Sequence, residues 1–209
     1  MAAVARVDGG RCDPGAVRVR IVVTGPESTG KSTLAQLLGE RLHAPVVPEA
    51  ARLYAEALSA RTPGATLTAA DVAPIARLAL SLDDHAMAAQ PGTVVCDTDL
   101  VSTVVYARHY YGDVPAWVET AARERRGDLY LLCATDLPWT PDAVRDRPLH
   151  RDTLLQAFRD ALHAFDCTVA WVAGTGDARV EQAWEAIARH QAAPLAAPLA
   201  APHAREERS

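Results

Sequence analysis

Short apolar runs rich in β-branched residues recur along this chain, separated by stretches whose apolar positions repeat at three- and four-residue spacing. Residues 18–24 (RVRIVVT), 44–47 (APVV), 93–96 (TVVC), 129–133 (LYLLC) and 168–172 (TVAWV) read as strands. Residues 31–42, 51–60, 68–89, 100–110, 115–125, 151–165 and 178–190 read as helices. Thr68 with Asp71 gives the third of these a helix-start pattern, and Pro74 falls in its first turns, where a missing N–H is tolerated. Strands alternating with helices predict an α/β fold, a three-layer sandwich with a parallel five-stranded sheet and helices on both faces. Ligands bind beyond the carboxyl ends of the strands in such sheets, and the polar motifs of this chain fall at those ends. The domain spans 18–190 on this reading. A small, polar, flexible leader over 1–17 precedes it, and a disordered Ala/Pro tail over 191–209, with its repeated AAPL, follows.

Composition narrows the class. The 209 residues suit one domain with a hydrophobic core, and a formal net charge of -5 gives no electrostatic reason to bind nucleic acid or an anionic membrane. No apolar run approaches the ~18 residues that cross a bilayer. The N-terminal segment lacks the apolar centre of a signal peptide, so a cytoplasmic location is expected. Cys12, Cys96, Cys133 and Cys167 form no CxxC pair and are expected to be free thiols, three of them packed as small apolar side chains. The basic residues are twenty arginines and one lysine, Lys31. A chain so biased keeps a lysine where a slim stem and a compact charge do what a broad planar fork cannot.

That lysine stands in Gly25-Pro26-Glu27-Ser28-Thr29-Gly30-Lys31-Ser32, which fills every fixed position of G-x-x-x-x-G-K-[ST] between a predicted strand and a predicted helix. The glycines let the backbone curl so that successive N–H groups face phosphate oxygens, and the helix N-terminus adds its positive end. Lys31 is expected to reach the β- and γ-phosphates of ATP, and the Ser32 hydroxyl to ligate Mg²⁺. The expected ATP-binding set is Gly25, Glu27, Ser28, Thr29, Gly30, Lys31, Ser32 and Thr33, joined by Arg147 and Arg179 from later loops. Glu27 reads equally as a ligand-facing residue or a solvated loop charge.

Carboxylates supply the remaining chemistry. Asp97 closes the third strand, where a carboxylate facing the phosphate loop holds Mg²⁺ directly or through water. Asp99 either assists it or caps the helix beginning near residue 100. Glu49 follows the second strand and can accept or orient a substrate hydroxyl, with Arg52 as its partner or as a phosphate ligand; a surface pair at helical spacing is the plainer alternative. Arg145, Arg147 and Arg151 lie in or beside a loop over 136–150 that resembles a lid closing on transferring phosphates. Gly174-Thr175-Gly176 with Arg179 borders adenine or is an ordinary turn. Tyr106, Tyr110, Tyr111 and Trp117 cluster and either stack on a flat ring or pack in the core.

A guanine-reading NKxD motif needs a second lysine, which this chain lacks; an LSGGQ-like signature is absent, and the length leaves no room for the helical domain of an AAA+ motor. A small-molecule kinase fits best. The segments VTGPESTGKSTLA, VPEAAR, VVCDTDLVSTVVYARHYYG and DLPWTPDAVRDRP–HRDTL, running in order from about residue 18 to 189, closely resemble the ribosylnicotinamide kinase domain of bacterial bifunctional NAD-salvage proteins. The resemblance implies transfer of phosphate from ATP to nicotinamide riboside, giving nicotinamide mononucleotide. Lys31 and Ser32 would serve ATP and Mg²⁺, and Asp97 would serve Mg²⁺ or act as base. Glu49 and Asp99 would face the ribose, and Tyr54, Tyr106 or Trp117 would stack on the nicotinamide. Ala50 stands where the family often has an aromatic residue, and the adenylyltransferase HxGH motif of the bifunctional relatives is not in this chain. The same scaffold would also support a kinase of another nucleoside or nucleotide, or a regulatory ATPase.

Overall fold

The computed structural model describes residues 18–89, 92–138 and 151–192. The five strands are β1 (Val19–Thr24), β2 (Val46–Val47), β3 (Thr93–Asp97), β4 (Leu129–Cys133) and β5 (Val169–Val172), all parallel in the order β2-β3-β1-β4-β5. The α-helices among the described residues are α1 (Lys31–Leu42), α2 (Ala50–Arg61), α3 (Val72–Ala89), α4 (Leu100–Tyr111), α5 (Ala116–Glu124), α6 (Arg151–Ala164) and α7 (Gly176–Ala192). The predicted elements are present, so the fold is the expected P-loop three-layer sandwich. α7 runs two residues into the stretch read as tail. The leader over 1–17, residues 193–209 of the tail and most of the arginine loop lie outside the described residues.

Alternation on the central strand divides the core. Ile21 and Val23 of β1 pack with Leu34 and Leu38 of α1, Leu131 of β4 and Ile187 of α7. Val22 packs on the other face with Cys96 of β3, Tyr130 of β4, Val104 of α4 and Phe158 of α6. Side chains of consecutive strand residues point to opposite faces, so a strand buried on both sides reads as one continuous apolar run. Each such side chain buried contributes about 1.5–3 kcal/mol. Cys96 and Cys133 are buried free thiols in these layers and Cys167 is a half-buried one, as expected.

β2 is shorter than the expected four residues. Only Val46 and Val47 register with β3, at Val95 and Cys96. The Pro45 carbonyl still accepts from Val95 N at 3.0 Å, but proline has no N–H to continue a ladder. The third helix begins with one 3-10 turn over Ala69–Asp71, closed by the reciprocal cap of Thr68 and Asp71, before α3 starts at Val72.

Candidate functional site

The loop between β1 and α1 is pinned by its own carbonyls. Lys31 Nζ and Thr29 Oγ1 each donate to Pro26 O at 2.7 Å. The Tyr106 hydroxyl donates to Gly25 O at 3.2 Å, Arg151 Nη2 to Ser28 O at 3.2 Å, and Arg179 Nη2 to Thr29 O at 2.8 Å. A planar trans peptide points its N–H opposite its C=O. Holding the Ser28 and Thr29 carbonyls from one side therefore turns the N–H groups of Thr29 and Gly30 to the other, where an anion is cradled. Gly25, at φ 132°, leaves no space for a side chain: a Cβ would stand 2.9 Å from Cys133 O. Ser28, at φ 54°, and Thr98, at φ 68°, adopt the left-handed region without being glycine, a strain that clusters at functional sites.

Glu27 is no solvated charge. It is 2% exposed, accepts from the Tyr110 hydroxyl at 3.3 Å through Oε1, and keeps Oε2 buried without a hydrogen-bond partner among the described residues. The rings of Tyr106 and Tyr110 lie parallel at 6.1 Å, and Phe158 meets Tyr106 edge-on at 5.4 Å. These α4 tyrosines brace the phosphate loop through their hydroxyls.

The Ser32 hydroxyl donates to the Asp97 carboxylate, which is buried at the end of β3. Burial and the neighbouring Glu49 carboxylate raise the Asp97 pKa above its ordinary value, against the pull of Ser32, Lys31 and Arg52. Asp97 Oδ1 is buried with no hydrogen-bond partner among the described residues, and a carboxylate oxygen of this kind is a ligand that hard cations take. No cluster of three or more His, Cys, Asp or Glu among the described residues forms a metal site by itself. A cation at Ser32 and Asp97 would therefore share its shell with phosphate oxygens.

Asp99 has the geometry of a helix cap. Oδ1 accepts from Ser102 N at 3.1 Å, and Oδ2 accepts from the Tyr130 hydroxyl at 2.6 Å, so both oxygens are engaged inside the fold. Burial raises its pKa against those bonds. Glu49 precedes α2, is buried, and stands 3.5 Å from Arg52 Nε.

A cavity of about 330 Å³ opens between β2, α2, α3 and α4. Glu49, Ala50, Thr98, Tyr106, Tyr110 and Tyr111 are on its wall. Two expected ring-stacking residues are not. The Tyr54 hydroxyl is drawn to Asp71 Oδ1 at 2.9 Å, and Trp117 sits 38% exposed on α5 with the Arg77 guanidinium over its ring. The aromatic lining comes from α4 instead.

Arg179 is a buried clip, 4% exposed, and not a free base-binding group. Besides Thr29 it donates to Gly174 O at 2.8 Å, Asp136 Oδ1 at 2.9 Å and Ala134 O at 3.3 Å, joining the phosphate loop to the ends of β4 and β5. Asp136 also accepts from Gly174 N at 2.5 Å; burial works against its charge, but these bonds hold its pKa below the ordinary value. Arg151 opens α6 and donates to Leu137 O at 3.1 Å as well as to Ser28 O. Arg145 and Arg147 lie outside the described residues. Residue-by-residue reading passed over Arg20 and Asp83, which line the same cavity; a charge inside an apolar strand and another inside an apolar helical run were the available signals.

No curated protein matches this sequence. A solved NadR protein in complex with NR is 24% identical and has a TM-score of 0.70, the match covering 85% of this chain and 52% of that one. NadR protein in complex with NAD and AMP-PNP is 25% identical with a TM-score of 0.65, the match covering 83% and 49%. This chain thus spans about half the length of those proteins. Thymidylate kinase from Ehrlichia chaffeensis shares the fold at 13% identity and a TM-score of 0.58, over 82% of this chain and 98% of its own. The AAA domain family model matches residues 20–179, from the first strand to the Arg179 clip. With its phosphate loop, parallel sheet order and family match in agreement, the chain belongs to the AAA domain family of P-loop proteins.

Proposed function

We propose that this domain is an ATP-dependent small-molecule kinase whose acceptor is nicotinamide riboside and whose product is nicotinamide mononucleotide. One observation carries the reading: the cavity lined by Glu49 and Thr98 opens beside the Lys31–Ser32–Asp97 group, so an acceptor hydroxyl and a terminal phosphate would meet at one place. The NadR structures, one holding NR and one AMP-PNP with NAD, support the choice of acceptor and donor.

Each residue then has a task. Lys31 and the loop N–H groups bind the phosphates, and Ser32 with Asp97 would hold Mg²⁺, which would supply positive charge against that of the phosphates. Glu49 takes the proton of the acceptor hydroxyl, because it faces the cavity while Asp97 is turned to Ser32. The hydroxyl oxygen bonds to the γ-phosphorus, the bond from that phosphorus to the bridging oxygen breaks, and ADP leaves.

ADP formation measured across a panel of nucleosides tests this. Turnover that depends on nicotinamide riboside and drops roughly 100-fold or more in Glu49→Gln is the expected result. ATP hydrolysis indifferent to every acceptor would instead indicate a regulatory ATPase.

A further inference from the structure

Glu27 is a carboxylate buried in a loop whose curl suits an anion. A group of that sign opposes phosphate unless it is turned elsewhere, and it is turned to α4. Its Oε1 accepts from the Tyr110 hydroxyl at 3.3 Å, and Tyr106, one helical turn earlier on the same face, donates to Gly25 O at 3.2 Å. Two neutral hydroxyls thus hold the earlier part of the loop. Its later part is held by guanidinium groups, those of Arg151 on Ser28 O and Arg179 on Thr29 O. A hydroxyl donor ordinarily stands about 2.7–2.8 Å from its acceptor. Both tyrosine bonds are longer than that, so this part of the loop has room to tighten. Glu27 Oε2 is buried with no hydrogen-bond partner among the described residues, which leaves the long bond to Oε1 to fix the carboxylate. The same two tyrosines lie on the cavity wall, their rings parallel at 6.1 Å, with His109 edge-on to Tyr110 at 4.9 Å. One pair of side chains therefore meets both the loop and the cavity.

We infer that Glu27 and Tyr110 are positioning residues that couple the two halves of the site: filling the phosphate loop tightens binding in the cavity, and filling the cavity tightens binding in the loop. Phosphate gathered on the loop N–H groups fixes the backbone around Glu27 and drives its carboxylate toward Tyr110. The hydroxyl bond shortens, and the Tyr110 ring is held at one place on the cavity wall. In the reverse order, a ligand against the ring fixes the hydroxyl and with it the carboxylate, so phosphate meets a loop already curled. Whichever ligand binds first bears the cost of ordering, and the second does not. The two effects are equal in size, because coupling between binding sites is reciprocal. The inference rests on the kinase reading above and concerns how the two substrates are brought together. A static brace is the competing account. It predicts that breaking the Glu27–Tyr110 bond weakens the fold, or either ligand alone, without changing what one ligand does for the other.

The test is calorimetric titration of the full chain with nicotinamide riboside, with and without saturating AMP-PNP and Mg²⁺, and the converse titration with AMP-PNP. In the wild type each ligand is expected to tighten the Kd of the other by the same factor, roughly 5-fold or more. Tyr110→Phe removes one oxygen and no charge, and is expected to bring that factor below about 2-fold. Glu27→Gln is expected to do the same, and the double variant to lose nothing further, since both residues act through one bond. Each variant's Kd for a single ligand is its own reference, so general damage to either site cancels from the factor. Independent binding in the wild type, or a factor that both single variants leave unchanged, overturns the coupling while leaving the kinase reading in place. A riboside that binds neither alone nor with AMP-PNP removes the acceptor assigned above, and this inference with it. Should Glu27→Gln not fold, the factor in Tyr110→Phe decides alone.

Discussion

Single residues of the phosphate loop were legible because their chemistry is local: eight consecutive positions fix a backbone curl, and a lone lysine completes it. Lys31 reaches back across that curl to Pro26 O, a path suited to a slim side chain. Lys31→Arg should keep the fold and charge but lower kcat by roughly 100-fold or more, measured by steady-state ADP formation. Residues whose partners are remote in sequence were not legible. The carboxylate of Glu27 is buried because Tyr110, 83 residues away, covers it, and while the capping role of Asp99 was one of its two sequence readings, the Tyr130 hydroxyl on its second oxygen, 31 residues away, was not foreseen. Asp136 yields a pH prediction. Its folded pKa lies below the ordinary 3.8, so its stabilising contribution is complete above that value and is lost as pH falls through the lower folded value. Asp136→Asn should melt at a lower temperature at neutral pH, and should lose less on further acidification below about pH 4 than the wild type does.

At the scale of elements, α4 has two functions. Its N-terminus is capped by Asp99, and its tyrosines reach Gly25 and Glu27 of the loop while lining the cavity. Asp99→Ala would leave Ser102 N uncapped and the Tyr130 hydroxyl unsatisfied in the core. A loss of about 2–4 kcal/mol in denaturant unfolding is expected. α7 is the counterpart on the other side, because Arg179 in its first turn fastens Thr29. Arg179→Ala should cost about 3 kcal/mol or more and raise KM for ATP more than it lowers kcat, since it frees the loop without touching the acceptor. Neither link shows in hydrophobic periodicity, which locates helices but not the polar contacts at their ends.

For the whole molecule, alternating strands and helices predicted a parallel sheet, and the order β2-β3-β1-β4-β5 places the phosphate loop between the strands that end in Asp97 and Cys133. Strand order is a long-range property that no single run of residues encodes, so the sequence alone does not bring the Asp97 carboxylate beside Ser32 and Glu49, as the folded sheet does. The cavity is a product of the same assembly: its wall takes residues from β1, α3 and α4, and its aromatic lining therefore falls to Tyr106, Tyr110 and Tyr111, not to Tyr54 or Trp117. The most direct test of a kinase site shared by this loop and this cavity is mass spectrometry of the acceptor after incubation with ATP and Mg²⁺. Nicotinamide riboside should gain one phosphate with wild-type protein, and with Lys31→Arg should do so roughly 100-fold or more slowly. An unmodified riboside in the presence of active ATP turnover would contradict the account.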